Sequence, residues 1–204
     1  MLFRSKQTKI IQVIKNSLSD KSVEYRRTEF VGPKVGKELI NAGIIAIIFS
    51  LFGILIYIWL RFQWNFALGA IIALIHDVIL TLGFFSIFQF EFNLATVAAV
   101  LTIAGYSIND TVVIFDRVRE NLRKYKKMEL VELFNLSINN TLSRTIMTSL
   151  TTLIALFCLY LFGGQVIKPF AFTMIIGVII GTYSSMFIAV PTLLLFNFRP
   201  QDED

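Results

Sequence analysis

The chain has 204 residues, of which 55% are hydrophobic and 16% charged. A soluble domain carries about 25% charge, so a single water-soluble core is excluded. The net charge of +5 does not point to nucleic acid, because Lys and Arg gather at 1–37 and 117–127, beside apolar runs, where basic residues set membrane orientation.

The first 36 residues show helical apolar spacing at Ile10, Ile11, Val13, Ile14 and Leu18, and a strand-like stretch at 23–31. One helix and one strand cannot bury a core. Residues 1–36 are therefore expected to be the α/β remnant of a larger domain on the outer side of a membrane. They contain no apolar run of the kind that marks a signal peptide.

Five apolar stretches follow, at about 38–60, 64–88, 94–115, 145–162 and 166–196, the last interrupted by Pro191. About 20 apolar residues cross the hydrocarbon of a bilayer, and backbone exposed to lipid must satisfy itself internally. The fold class predicted is an all-α polytopic membrane protein, with a bundle over 37–198. Between the third and fourth spans, Leu130, Leu133, Phe134, Leu136 and Ile138 are loosely amphipathic. They read as an interfacial helix over about 128–142 or as a solvated linker helix. Cys158, the one cysteine, excludes an internal disulfide and reads as an inert packing residue.

Orientation follows from the loops. The connection 116–144 holds seven basic residues, and the connection 89–93 holds none. The basic side is expected to be cytoplasmic. That places the C-terminal tail, 199–204, in the cytoplasm and the N-terminal segment outside, although residues 1–37 hold nine Lys and Arg.

Ionisable groups inside spans are costly and are functional candidates. Asp110 lies in the cytoplasmic half of the third span and Arg144 opens the fourth. At similar depth they could form a fixed ion pair between helices. The favoured reading, given the cost of such groups, is a proton site in which burial disfavours the charged carboxylate and the arginine favours it. Tyr106, Ser107, Asn109 and Thr111 surround Asp110 in sequence as supporting polar groups. Thr102 and Tyr106 share its helix face. His76 and Asp77 lie mid-span in the second stretch. Neighbouring residues point about 100° apart on a helix, so these two favour a structural role, with Asp77 kept as a supporting group. Small residues recur every four positions at Gly69, Ala73, Asp77 and Thr81, and at Thr173, Gly177, Gly181, Ser185 and Ala189. Such stripes let helices approach closely.

No phosphate-binding Gly loop, Cys/His metal spacing or nucleophile elbow is present in the sequence. The chain is not expected to be an enzyme or to need a metal or cofactor. An intramembrane aspartyl protease built on Asp77 and Asp110 is disfavoured, because Asp110 follows Ser-Ile-Asn in place of a Gly-x-Gly pattern.

The stretch GYSINDTVVIFDRVREN at 105–121 resembles the signature segment of SecF in the SecD/SecF family. In the same order and spacing as SecF come GPKVGKEL at 32–39, HDV at 76–78, SRTIMTSLTTL at 143–153 and LFGG at 161–164. The resemblance covers roughly residues 22–198. It implies an RND-like fold, pairing with SecD, and assistance to the SecYEG channel with a YajC-type accessory subunit. It also implies use of the proton-motive force to complete preprotein export across the bacterial inner membrane. Within the family the proton-path carboxylate falls on Asp110 and its companion arginine on Arg144. Five of SecF's six helices are accounted for, so a first helix and most of a periplasmic domain are expected to be missing. The alternatives are a small-molecule exporter component of the RND type, or a SecF fragment without function.

Overall fold

The computed structural model describes residues 33–88 and 94–195. The helices are α1 (Pro33–Arg61), α2 (Trp64–Phe88), α3 (Leu94–Lys124), α4 (Leu130–Phe162) and α5 (Gly164–Ser184). The last continues through a π-helical turn, Ser185–Ala189, into α6 (Val190–Leu195). Five of these stretches are long and apolar enough to cross a membrane: Ile40–Arg61, Trp64–Phe88, Ala95–Lys124, Leu130–Phe162 and Gly164–Leu195. The chain is a multi-pass membrane protein. The expected remnant at 1–36 and the tail at 199–204 fall mostly or wholly outside the described residues.

Two boundaries differ from the sequence expectation. The third helix does not stop at 115 but carries its charged end on to Lys124. At 1.5 Å per residue its 31 residues reach about 46 Å, well beyond roughly 30 Å of hydrocarbon, so the charges from Asp116 onward project past the apolar layer. The separate interfacial helix at 128–142 does not exist as such. It and the fourth span form one unbroken helix of 33 residues, because no Gly or Pro stands between Leu130 and Phe162 to interrupt it. Its amphipathic face is used inward. Leu133 and Phe134 join Val118 and Leu122 in an apolar cluster, and the buried Asn121 Nδ2 donates to Ser137 Oγ at 2.8 Å.

The turn between α4 and α5 is made by two glycines. A Cβ at Gly163 would lie 2.3 Å from the Leu159 carbonyl oxygen, and Gly164 has φ 75°, a left-handed conformation that glycine alone adopts without cost.

Helices α3 and α5 form the buried centre of the bundle, and α1 lies at its edge, largely exposed. Contact between α3 and α5 runs along the small-residue stripe. A Cβ at Gly177 would fall 2.1 Å from Ile103 Cδ1, and one at Gly181 3.0 Å from Ser107 Cβ. Between apolar helices in lipid, such close backbone approach replaces the hydrophobic drive as the source of adhesion. The α2 stripe likewise faces inward: a Cβ at Gly69 would lie 3.1 Å from the Ala189 carbonyl oxygen at the end of the π turn. Outward faces are apolar, with Ile79, Ile87, Phe157 and Phe187 among the exposed residues, as lipid requires. Cys158 lies on such a face and is exposed, which corrects its expected role in packing.

Two apolar clusters divide the bundle along its length. One gathers Ile58, Phe62, Phe66, Ile114, Phe115 and Leu193, with Phe66 and Phe115 edge to face at 5.1 Å between ring centres. The other gathers Ala99, Ile103, Leu156, Met174, Ile175 and Val178. A group of buried polar residues lies between them.

Candidate functional site

A polar layer occupies the gap between the two clusters. Helix α2 supplies Asp77, α3 supplies Ser107, Asp110 and Thr111, α4 supplies Thr145 and Ser149, and α5 with its π turn supplies Ser184 and Ser185. All of them are buried. Other buried polar residues, among them Asn65, Thr96, Asn121 and Thr173, lie elsewhere along the helices.

Asp110 is 2% exposed, and its Oδ2 is buried with no hydrogen-bond partner. A buried carboxylate oxygen without a donor is costly in an apolar setting. Arg144 is within electrostatic reach of this carboxyl, but among the described residues no ion pair joins them, and Arg144 itself is exposed. Arg144 therefore acts on Asp110 through space and not through a salt bridge. Two interhelical bonds fix the antiparallel register of α3 and α4: Tyr106 Oη donates to Thr152 Oγ1 at 3.2 Å, and Asn121 bonds Ser137. In that register Asp110 is level with Thr148, and buried Thr145 and Ser149 flank it. Thr145 Oγ1 is a second buried oxygen without a partner. Thr145 lies within the SRTIMTSLTTL stretch at 143–153 but is not singled out there, since nothing in a run of hydroxyl residues says which one is buried.

The other polar groups near Asp110 are distributed as follows. Tyr106 is tied to α4. Thr102 is exposed and donates back to the Ala98 carbonyl at 2.8 Å. Asn109 is exposed. Thr111 Oγ1 lies 3.2 Å from the Ser107 carbonyl and 3.3 Å from Ser185 Oγ. Ser149 Oγ is 2.7 Å from Thr182 Oγ1. Thr182 spends its own proton on the Val178 carbonyl, so Ser149 is the donor to it.

Asp77 is the opposite of Asp110. It is 0% exposed, yet both of its oxygens are engaged. Ser107 Oγ donates to Oδ2 at 2.6 Å, and His76 Nδ1 lies 3.2 Å from Oδ1. The helical spacing of 100° separates the Cβ atoms of His76 and Asp77, but the long imidazole reaches back across it. Among the described residues no group of His, Cys, Asp and Glu could hold a metal ion.

The family described as "Protein export membrane protein SecD/SecF, C-terminal" matches residues 10–199. A protein translocase subunit SecF of Rickettsia rickettsii is 56% identical over 194 residues, which is 94% of this chain and 63% of that protein. One of Rickettsia bellii is 57% identical over 191 residues, 92% of this chain and 63% of that protein. The chain thus spans less than two thirds of the length of these relatives. Among solved structures, SecDF of Thermus thermophilus, a translocon-associated membrane protein, is similar with a TM-score of 0.77 and 43% identity. That match covers 82% of this chain and 23% of the other. A SecDF structure in a super-membrane-facing form has a TM-score of 0.77 and 36% identity, covering 93% of this chain and 26% of the other.

Proposed function

The chain belongs to the SecD/SecF family of protein-export membrane proteins, and from that premise we propose that it is a SecF-type subunit of the Sec translocation machinery. Paired with SecD, it draws on the proton-motive force to help the SecYEG channel complete preprotein export. It sits in the bacterial inner membrane with its basic loop and C-terminus in the cytoplasm. The observation that carries this reading is Asp110 Oδ2, buried in the polar layer with no donor. A carboxylate left short of hydrogen bonds gains one by taking up a proton or a water. Arg144, near but unpaired, can favour the charged form without locking it. A group balanced in this way can load and unload a proton as the bundle opens to each side.

The surface of α3 supports pairing with a second membrane subunit. Ala98, Thr102, Gly105 and Asn109 form an exposed stripe of small and polar residues on an otherwise buried helix, and a Cβ at Gly105 would meet nothing. Lipid does not satisfy Asn109, whereas a partner helix crossing at Gly105 would. The related SecDF structures are much longer than this chain, and SecD is the proposed occupant. The test is Asp110→Asn, assayed for proton-dependent export in membrane vesicles. The variant is expected to insert and to co-purify with SecD but to lose the proton-driven part of export. Normal export by Asp110→Asn refutes the proposal.

A further inference from the structure

Asp77 and Ser107 hold chemistry that the proposed proton site leaves unused. Ser107 is gripped at both ends. Its hydroxyl is bound to the Asp77 carboxylate of α2 at 2.6 Å. Its backbone carbonyl meets Thr111 Oγ1 at 3.2 Å and Ser185 Oγ, at the start of the π turn, at 3.5 Å. Gly181 brings α5 against it so closely that a methyl there would sit 3.0 Å from Ser107 Cβ. Three helices thus converge on one residue, and Asp110 lies three positions further along α3, about one helical turn.

We propose that Asp77 and Ser107 are positioning residues that hold the turn of α3 bearing Asp110, and that Asp77 does not itself carry the transported proton. The proposal rests on the reading of Asp110 as the proton-binding group. The contrast in hydrogen bonding supports it. Asp110 has a buried oxygen with no donor, whereas Asp77 has a donor from α3 on one oxygen and the His76 ring on the other. Both Asp77 oxygens are thus engaged by neighbours, one of them on another helix. The role of Asp77 as an acceptor needs no charge. An asparagine at 77 offers its amide oxygen to Ser107 and its amide N–H to the other tautomer of His76. The π turn joins the same hub from the far side, which fits the frequent placement of π turns at functional sites.

The experiment compares Asp77→Asn, Asp77→Ala, Ser107→Ala and Gly181→Ala, alongside Asp110→Asn, in vesicles from cells that make the whole protein with SecD. Each variant is first checked for accumulation and for co-purification with SecD. Asp77→Ala and Ser107→Ala are expected to lose proton-driven export about tenfold, the rate equivalent of one lost hydrogen bond. Asp77→Asn restores most of what Asp77→Ala loses. Gly181→Ala alters no polar group but displaces Ser107, and falls with Ser107→Ala. If Asp77→Asn is as inactive as Asp110→Asn, then Asp77 carries a proton and the proposal is overturned. Full activity in both Ser107→Ala and Gly181→Ala also overturns it. Should Asp77→Ala fail to accumulate, those two variants decide. Export by Asp110→Asn at the full rate removes the premise instead, in an arm of its own.

Discussion

Gly177 is the tightest point of the α3–α5 contact, and replacing it with alanine should measurably weaken the bundle. The added methyl would lie 2.1, 2.3 and 2.9 Å from Ile103 Cδ1, Cγ1 and Cγ2. Ordinary contact begins at 3.4 Å, so either the helices separate by more than an ångström or Ile103 leaves its position. Ile103 is 1% exposed and has little free space to enter. Overpacking of this kind costs about 1–3 kcal/mol. Ile103→Ala alone removes buried methyl groups and costs about 2–5 kcal/mol by the measure of soluble cores. Those methyl groups are the very atoms that a methyl at 177 strikes. The double variant Gly177→Ala with Ile103→Ala should therefore cost less than the two singles added together. The coupling should fall within about 0.5–3 kcal/mol, the range for residues in contact. The assay is reversible unfolding in mixed micelles, followed by the fluorescence of Trp59 and Trp64. Strictly additive costs, or a stable Gly177→Ala single variant, would refute the proposed contact between α3 and α5.

Ser137→Ala leaves the buried Asn121 amide without its 2.8 Å partner and should cost about 1–3 kcal/mol; adding Asn121→Leu should recover part of the loss in the same unfolding assay. Arg61 and Asp116 are paired at 3.3 Å but remain 48% and 45% exposed, so Asp116→Ala should change stability by no more than about 1 kcal/mol. Cys158 is exposed on an outward face, and Cys158→Ala should be silent. On that background Lys127→Cys should react with an impermeant maleimide in inverted vesicles and not in intact spheroplasts. The reverse pattern would invert the proposed topology.

The five spans could be read from the sequence because each is a run of apolar residues too long for a soluble core. The inner faces of α2 and α5 could be read from small residues at four-residue spacing, and Gly177 and Gly181 do meet α3 side chains. Other features left no trace in hydropathy. The charged extension of α3 and the fusion of 128–142 with the fourth span turn on helix continuity, which polar residues permit as readily as apolar ones. The π turn at Ser185–Ala189 arises where α5 packs on Ser107 and Gly69, and a local pattern does not encode tertiary contact. Asp77 could be placed on a helix-facing stripe, but its donor lies 30 residues away on another helix. The separation of His76 from Asp77 was drawn from backbone angles, and side-chain reach closes it.

The polar layer presents two buried carboxylates on neighbouring helices, and their difference in hydrogen bonding bears on function more than their shared burial does. Intramembrane carboxylates are costly in general, so burial alone makes both of them candidates. Asp77 offsets its cost by joining α2 to α3 through Ser107. Asp110 has no such offset at Oδ2, and among the described residues no ion pair joins it to Arg144. The cost is concentrated on one oxygen, while the hydroxyls of Ser107, Thr111 and Ser149 are committed elsewhere. That is the arrangement expected of a group whose partner is transient. The apolar clusters on either side would then serve as seals, confining exchange at Asp110 to openings of the bundle.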